Sequence, residues 1–209
     1  MLKLPTSTIL NKSLTKKAIF VKFDVKPAAR DKFDADISKM SIVHEVSPIT
    51  IGLVKGENVE AFFVLLVTLK RKHFDEKNIV LLSRLISQKM LFVLSYNDKA
   101  KLAVYHTKLM QSDWSPMNEL TIELIGSNLD TAWEKIISQV GHIEVEQGKT
   151  LDEQIKLNEE REKLQQRIDS LERLARAEKQ PRKKFELVQE IKRLENIKKR
   201  IPPQLGAKI

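Results

Sequence analysis

Residues 150–201 read TLDEQIKLNEEREKLQQRIDSLERLARAEKQPRKKFELVQEIKRLENIKKRI. Leu157, Leu164, Ile168, Leu171 and Ala175 stand at steps of seven, four, three and four, the spacing of one coiled-coil seam. After Lys179-Gln180-Pro181 the pattern restarts with Leu187, Ile191, Leu194 and Ile201. Proline has no N–H to donate and disfavours helix in the residue before it, so the break falls at Gln180. Two seams of similar length around a short break predict an antiparallel helical hairpin. Thr150, with Glu153 three residues on, fits the capping box that would open its first arm. Arg161 and Lys198 also fall on the seam, where packing must loosen or let their stems snorkel towards water.

Charge concentrates in the same tail. From Lys149 onward there are 17 Lys and Arg against 11 Asp and Glu, a net of +6; the first 148 residues hold 20 against 17, a net of +3. Lys179, Arg182, Lys183 and Lys184 crowd the predicted tip. A turn needs none of these charges. Their concentration marks the tip as a contact for something acidic, a protein face or a phosphate backbone.

Core material lies elsewhere. Eleven of the twelve aromatic residues fall between Phe20 and Trp133, and the twelfth is Phe185. Large apolar side chains build cores, so residues 1–148 are expected to form an α+β globular domain and residues 149–209 a hairpin arm. At 209 residues the chain has room for one domain and an appendage. It contains no cysteine, which rules out disulfides and thiolate chemistry. No stretch approaches the ~20 apolar residues of a membrane span, and the opening Met1-Leu2-Lys3-Leu4-Pro5 lacks the apolar run of a signal peptide. The protein is read as cytoplasmic, with no membrane contact.

Along the domain, Lys26-Pro27 opens a helix with Ala28, Phe33 and Ile37 on one face, running to about Lys39. Residues 42–46 read as a strand, Ser47-Pro48 as a break, 49–54 as a short second strand and 59–69 as the longest strand, apolar enough for burial on both faces. Asp75 caps a helix carrying Ile79, Leu82, Leu85 and Ile86. Residues 90–96 and 101–106 form a hairpin around Asn97-Asp98, and 120–125 a further strand. A last helix follows Ser127-Asn128 and stops at Gly141. This order predicts a mixed or antiparallel sheet with flanking helices.

No motif names a reaction. His44, His73, His106 and His142 have no pairing at the spacing that sets two ligands on one helical face, and no metal or cofactor is expected. Gly52 and Gly56 are not followed by the Gly-Lys-Ser/Thr of a phosphate-binding loop, and no Gly-x-Ser-x-Gly elbow occurs. Helix, three strands, helix, strand is also the core order of restriction-endonuclease-like nucleases, which hold a metal with an acid near the second strand and an acid-x-Lys pair on the third. Here Lys70 stands where that Lys would be, but Thr68 replaces the carboxylate and Pro48-Ile49-Thr50 offers no acid. Glu45 and Glu60 lie nearby, so the alternative reading is a degenerate or cryptic metal-dependent nuclease. Lys70-Arg71-Lys72 forms a second basic patch suited to phosphates.

Leu4-Pro5-Thr6-Ser7-Thr8, Lys16-Lys17, Val59-Glu60, Leu91-Phe92-Val93-Leu94, and the tail from Gln154-Ile155 through Glu178-Lys179-Gln180 resemble a family of bacterial proteins of unknown function. Members of that family tend to be encoded beside type III-like DNA methyltransferases and helicases of restriction and phage-defence loci. The resemblance implies a non-catalytic accessory subunit of a DNA-processing complex, with a protein partner of the methyltransferase or helicase type. Nucleic acid is a second candidate partner. A homodimer whose hairpins pack on each other is a third.

Overall fold

The apolar run Phe62-Phe63-Val64-Leu65-Leu66-Val67 alternates its side chains between two faces, and both find cover. A computed structural model gives the fold and describes residues 2–201. The chain divides into two compact units, Met1–His142 and Ile143–Ile209.

The first unit runs β1 (Ile9–Ser13), α1 (Lys16–Lys22), α2 (Pro27–Asp36), β2 (Ile37–Val46), α3 (Pro48–Ile51), β3 (Phe62–Leu69), α4 (Lys77–Leu85), β4 (Lys89–Tyr96), β5 (Lys99–Tyr105), β6 (Leu109–Gln111), β7 (Ser115–Pro116) and α5 (Leu129–Gly141). Its seven strands make one mixed sheet in the order β1-β2-β3-β4-β5-β6, with β7 also on β5. Neighbours pair antiparallel except β3 and β4, which are parallel and joined by the crossover helix α4. Leu65, Val67 and Leu69 pack with Phe33 of α2 and with Ile79 and Leu82 of α4. On the other face the Phe62 ring meets Trp133 of α5 at 5.1 Å between centroids. The fold is α+β, with helices flanking a mixed sheet.

Three sequence expectations are corrected. The helix opened by Lys26-Pro27, α2, ends at Asp36 rather than near Lys39, and Ile37 already belongs to β2, where it pairs with Leu69. Residues 49–54 do not form a strand. Ser47 and Thr50 make a capping box, Pro48 takes the first helical position and Gly52 closes the turn at φ 72°, so the segment folds as α3 with Ile49 96% exposed. Residues 120–125 form no strand either. Leu120 and Ile122 are buried, but the segment makes only an isolated bridge from Thr121 to Leu2. β1 and α1 escape the sequence reading because β1 is exposed at all five positions and shows no alternation, while α1 is only seven residues long. The hairpin around Asn97-Asp98 is present, with Asn97 left-handed at φ 53°.

The loop before β3 is tied down from a distance. Asp130, in the first turn of α5, accepts from the N–H groups of Glu57 (2.7 Å), Asn58 (3.1 Å) and Val59 (2.8 Å). A Cβ at Gly56 would stand 2.2 Å from Asp130 Oδ1, so only glycine fits beside that carboxylate.

The second unit is built on α6 (Leu151–Ala177) and α7 (Pro181–Arg200), which pack on each other as an antiparallel hairpin around Glu178-Lys179-Gln180. Lys198 Nζ donates to Gln165 Oε1, which fixes which ends of the two helices meet. The Thr150 hydroxyl accepts from Glu153 N at 3.2 Å, and Thr150 N donates to Glu153 Oε2 at 2.8 Å. That backbone hydrogen bond, with the hydroxyl's help, holds the Glu153 carboxyl below the usual carboxylate range. Ile168, Leu171 and Ala175 are buried along the seam. Leu164, Leu187, Ile191 and Leu194 are half-buried, as are the seam cations Arg161 and Lys198.

Candidate partner-binding surfaces

The basic loop after β3 is pinned by one buried carboxylate. Asp36 ends α2, where the helix dipole disfavours an anion, and its side chain is 1% exposed. Its Oδ1 accepts from Arg71 Nε at 2.5 Å, and Arg71 Nη2 lies at the same distance. Its Oδ2 accepts from Asp75 N and from Asn78 Nδ2, each at 2.8 Å. The Asp36 carbonyl accepts from Lys70 N at 2.7 Å, and Lys70 Nζ donates to the Asp34 carbonyl at 2.5 Å. Two of the three cations of Lys70-Arg71-Lys72 are therefore engaged inside the unit, although all three side chains reach solvent. Lys72 makes no ion pair among the described residues.

At the hairpin tip Lys179, Arg182, Lys183 and Lys184 are all exposed. Arg182 Nε stands 3.5 Å from Glu186 Oε1, a solvent-exposed pair of the kind that contributes at most about 1 kcal/mol. Leu174 and Phe185 nearby in the chain are 54% and 62% exposed, so the end of the hairpin offers apolar as well as cationic surface.

The residues of the nuclease reading fall on different segments of the first unit. With α3 in place of a second strand, the order of three successive strands is not found. Thr68 lies in β3, Glu45 lies in β2 opposite Phe63, and Glu60 is exposed outside any strand, 4.0 Å from Lys55 Nζ. Among the described residues no three His, Asp or Glu side chains cluster as a metal site would require.

Two features were not visible in the sequence. Lys101 Nζ sits 5.2 Å from the ring centroids of both Phe74 and Trp114. Burial lowers its pKa, against the opposing pull of Glu76 and Asp113. His44 is buried in β2 with Nδ1 2.8 Å from the Thr8 hydroxyl, and burial lowers its pKa below 6.5. The unfolded chain thus binds a proton at this site more readily than the folded one. The stability His44 contributes is fully present above about pH 6.5 and is lost as pH falls from there through the lower value of the folded state. Thermal melts of the wild type should lose stability between pH 7 and 5, and a His44→Gln variant should show a shallower loss. Parallel pH profiles would contradict this assignment.

No helix among the described residues is long and apolar enough to cross a membrane. The profile of a family described as a domain of unknown function, DUF4391, matches residues 2–197, which spans both units. The chain belongs to the DUF4391 family. Comparison with curated proteins and with solved structures returns no match to either. The family match takes in the hairpin through residue 197, including Lys179, Arg182, Lys183 and Lys184, as well as the pinned loop.

Proposed function

We propose that this chain is a non-catalytic accessory subunit that docks onto a DNA-processing assembly through its basic helical hairpin. The observation that carries the reading is the tip. Four cations surround a three-residue connection, all exposed, with Glu186 as their one ion-pair partner among the described residues and that pair on the surface. Concentrated positive charge at the tip of a two-helix hairpin speeds encounter with an acidic partner and selects against basic ones. The exposed Leu174 and Phe185 supply apolar surface that a protein partner could bury and a phosphate backbone would not. The resemblance to the family found beside methyltransferases and helicases supplies the setting, so the partner proposed is a protein of that type from the same host.

The test co-expresses the full chain with those host subunits and measures co-purification after nuclease treatment. Changing Lys179, Arg182, Lys183 and Lys184 together to Gln should leave the melting transition in place and lower capture at least tenfold, most strongly at low salt. Equal capture by that variant would retire the tip as the contact. Capture that vanishes on nuclease treatment would make nucleic acid the bridge. Nicking of plasmid DNA with Mg²⁺ or Mn²⁺, abolished by Glu60→Ala or Lys70→Ala, would replace this reading with the nuclease one.

A further inference from the structure

On the side of the sheet that carries α1 and α4, an open cleft of about 850 Å³ lies within the first unit. Ile42 of β2 and Phe63 of β3 line its floor, Ile19 of α1 and Phe23 just after it one wall, and Leu85 and Ile86 at the end of α4 the other. All of these but Ile19 are only half-buried, although they pack against the main core. So much partly covered apolar surface converging on one concavity is what small-molecule sites present, and the volume lies in their range of about 300–1,000 Å³. Three charged side chains line the cleft: Lys12, Lys22 and Glu45. None of them makes an ion pair among the described residues, whereas the neighbouring Lys16 is held by Asp34 at 2.5 Å. The Lys22 ammonium stands 5.2 Å from the ring of Phe23, itself a lining residue.

We propose that this cleft binds an amphipathic anion: a single hydrocarbon chain ending in a carboxylate. The apolar floor and walls take the chain, and Lys12 and Lys22 take the head. Glu45 leaves the lining with a net charge of +1, which matches one carboxylate and disfavours the several charges of a nucleotide. This site shares no residue with the hairpin and stands independently of the docking proposal.

The experiment titrates the full chain with a dodecanoate bearing an environment-sensitive fluorophore, below its micelle concentration, and displaces it with unlabelled dodecanoate. Saturable uptake with displacement is expected in the wild type. Ala18 is an exposed α1 residue that lines the cleft, so Ala18→Phe should obstruct it and weaken uptake at least tenfold with the melting transition retained. Lys12→Gln with Lys22→Gln should weaken the carboxylate at least fivefold and leave an uncharged methyl ester unchanged. Absence of saturable uptake in the wild type, or full uptake in a folded Ala18→Phe chain, would overturn the site. Equal loss of carboxylate and ester in the double Gln variant would overturn the assignment of the anionic head.

Discussion

Asp36→Ala should destabilise the α+β unit by about 3 kcal/mol and release the loop that carries Lys70 to Lys72. Asp36 is the common acceptor for the Asp75 N–H, the buried Asn78 amide and the Arg71 guanidinium. Truncation leaves the first two without their acceptor, and each unsatisfied buried donor costs about 1–3 kcal/mol. The Arg71 side chain is 59% exposed and can turn to water, so its lost partner adds little. For a unit of this size the change corresponds to a drop of about 6–12 °C in melting temperature. Arg71→Ala should cost more than an exposed ion pair would, above about 1 kcal/mol, because it leaves the buried Asp36 carboxylate without its cation. Hydrogen exchange across the loop would show the release directly. A variant melting within about 2 °C of the wild type would mean that water replaces the carboxylate at no cost, and the loop would then have to be held by other contacts.

The hairpin should depend on its seam and be nearly indifferent to its charges. Ile168 is buried and faces the half-buried seam of α7, in which no residue is fully buried. Isoleucine to alanine in a core costs about 2–5 kcal/mol, so Ile168→Ala with Ile191→Ala should remove roughly 4 kcal/mol once the partial exposure of Ile191 is discounted. The ion pair between Arg176 and Glu172, at 3.0 Å, contributes about 0.2–0.5 kcal/mol by comparison. Far-ultraviolet circular dichroism of the full chain should therefore lose helicity in the double alanine variant and hold it when salt is raised. Loss of helicity in salt with the seam intact would reverse the ranking and make the charges the main support.

How much was legible in the sequence varied with how local the determining contacts are. The end of α6 and the start of α7 could be read because Pro181 acts on its own neighbours. The hairpin between β4 and β5 could be read from the two apolar segments flanking Asn97-Asp98. Residues 49–54 misled because Ile49, Ile51 and Val54 resemble a strand's apolar residues, while the Ser47–Thr50 capping box and Gly52 settle the backbone as helix. Residues 120–125 misled in the opposite way: Leu120 and Ile122 are buried as strand residues would be, but their neighbour Thr121 finds only the isolated bridge to Leu2. The basic patch was legible as composition. Its restraint by Asp36 was not, since the side chains that bind that carboxylate lie 35 and 42 residues further along the chain.

The sequence by itself determined the hairpin, its seam and its cationic tip, because heptad spacing, a capping box and a proline act within a few residues of one another. It also determined that a central strand near Val64 would be buried on both faces, since an unbroken apolar run leaves neither face for water. Only the tertiary structure decided which cations are held and which stand free, where β1 and α1 lie, and that a cleft lined by Phe23, Phe63 and Ile86 remains open. Those outcomes depend on side chains brought together from distant parts of the chain, and neither periodicity nor composition carries that information.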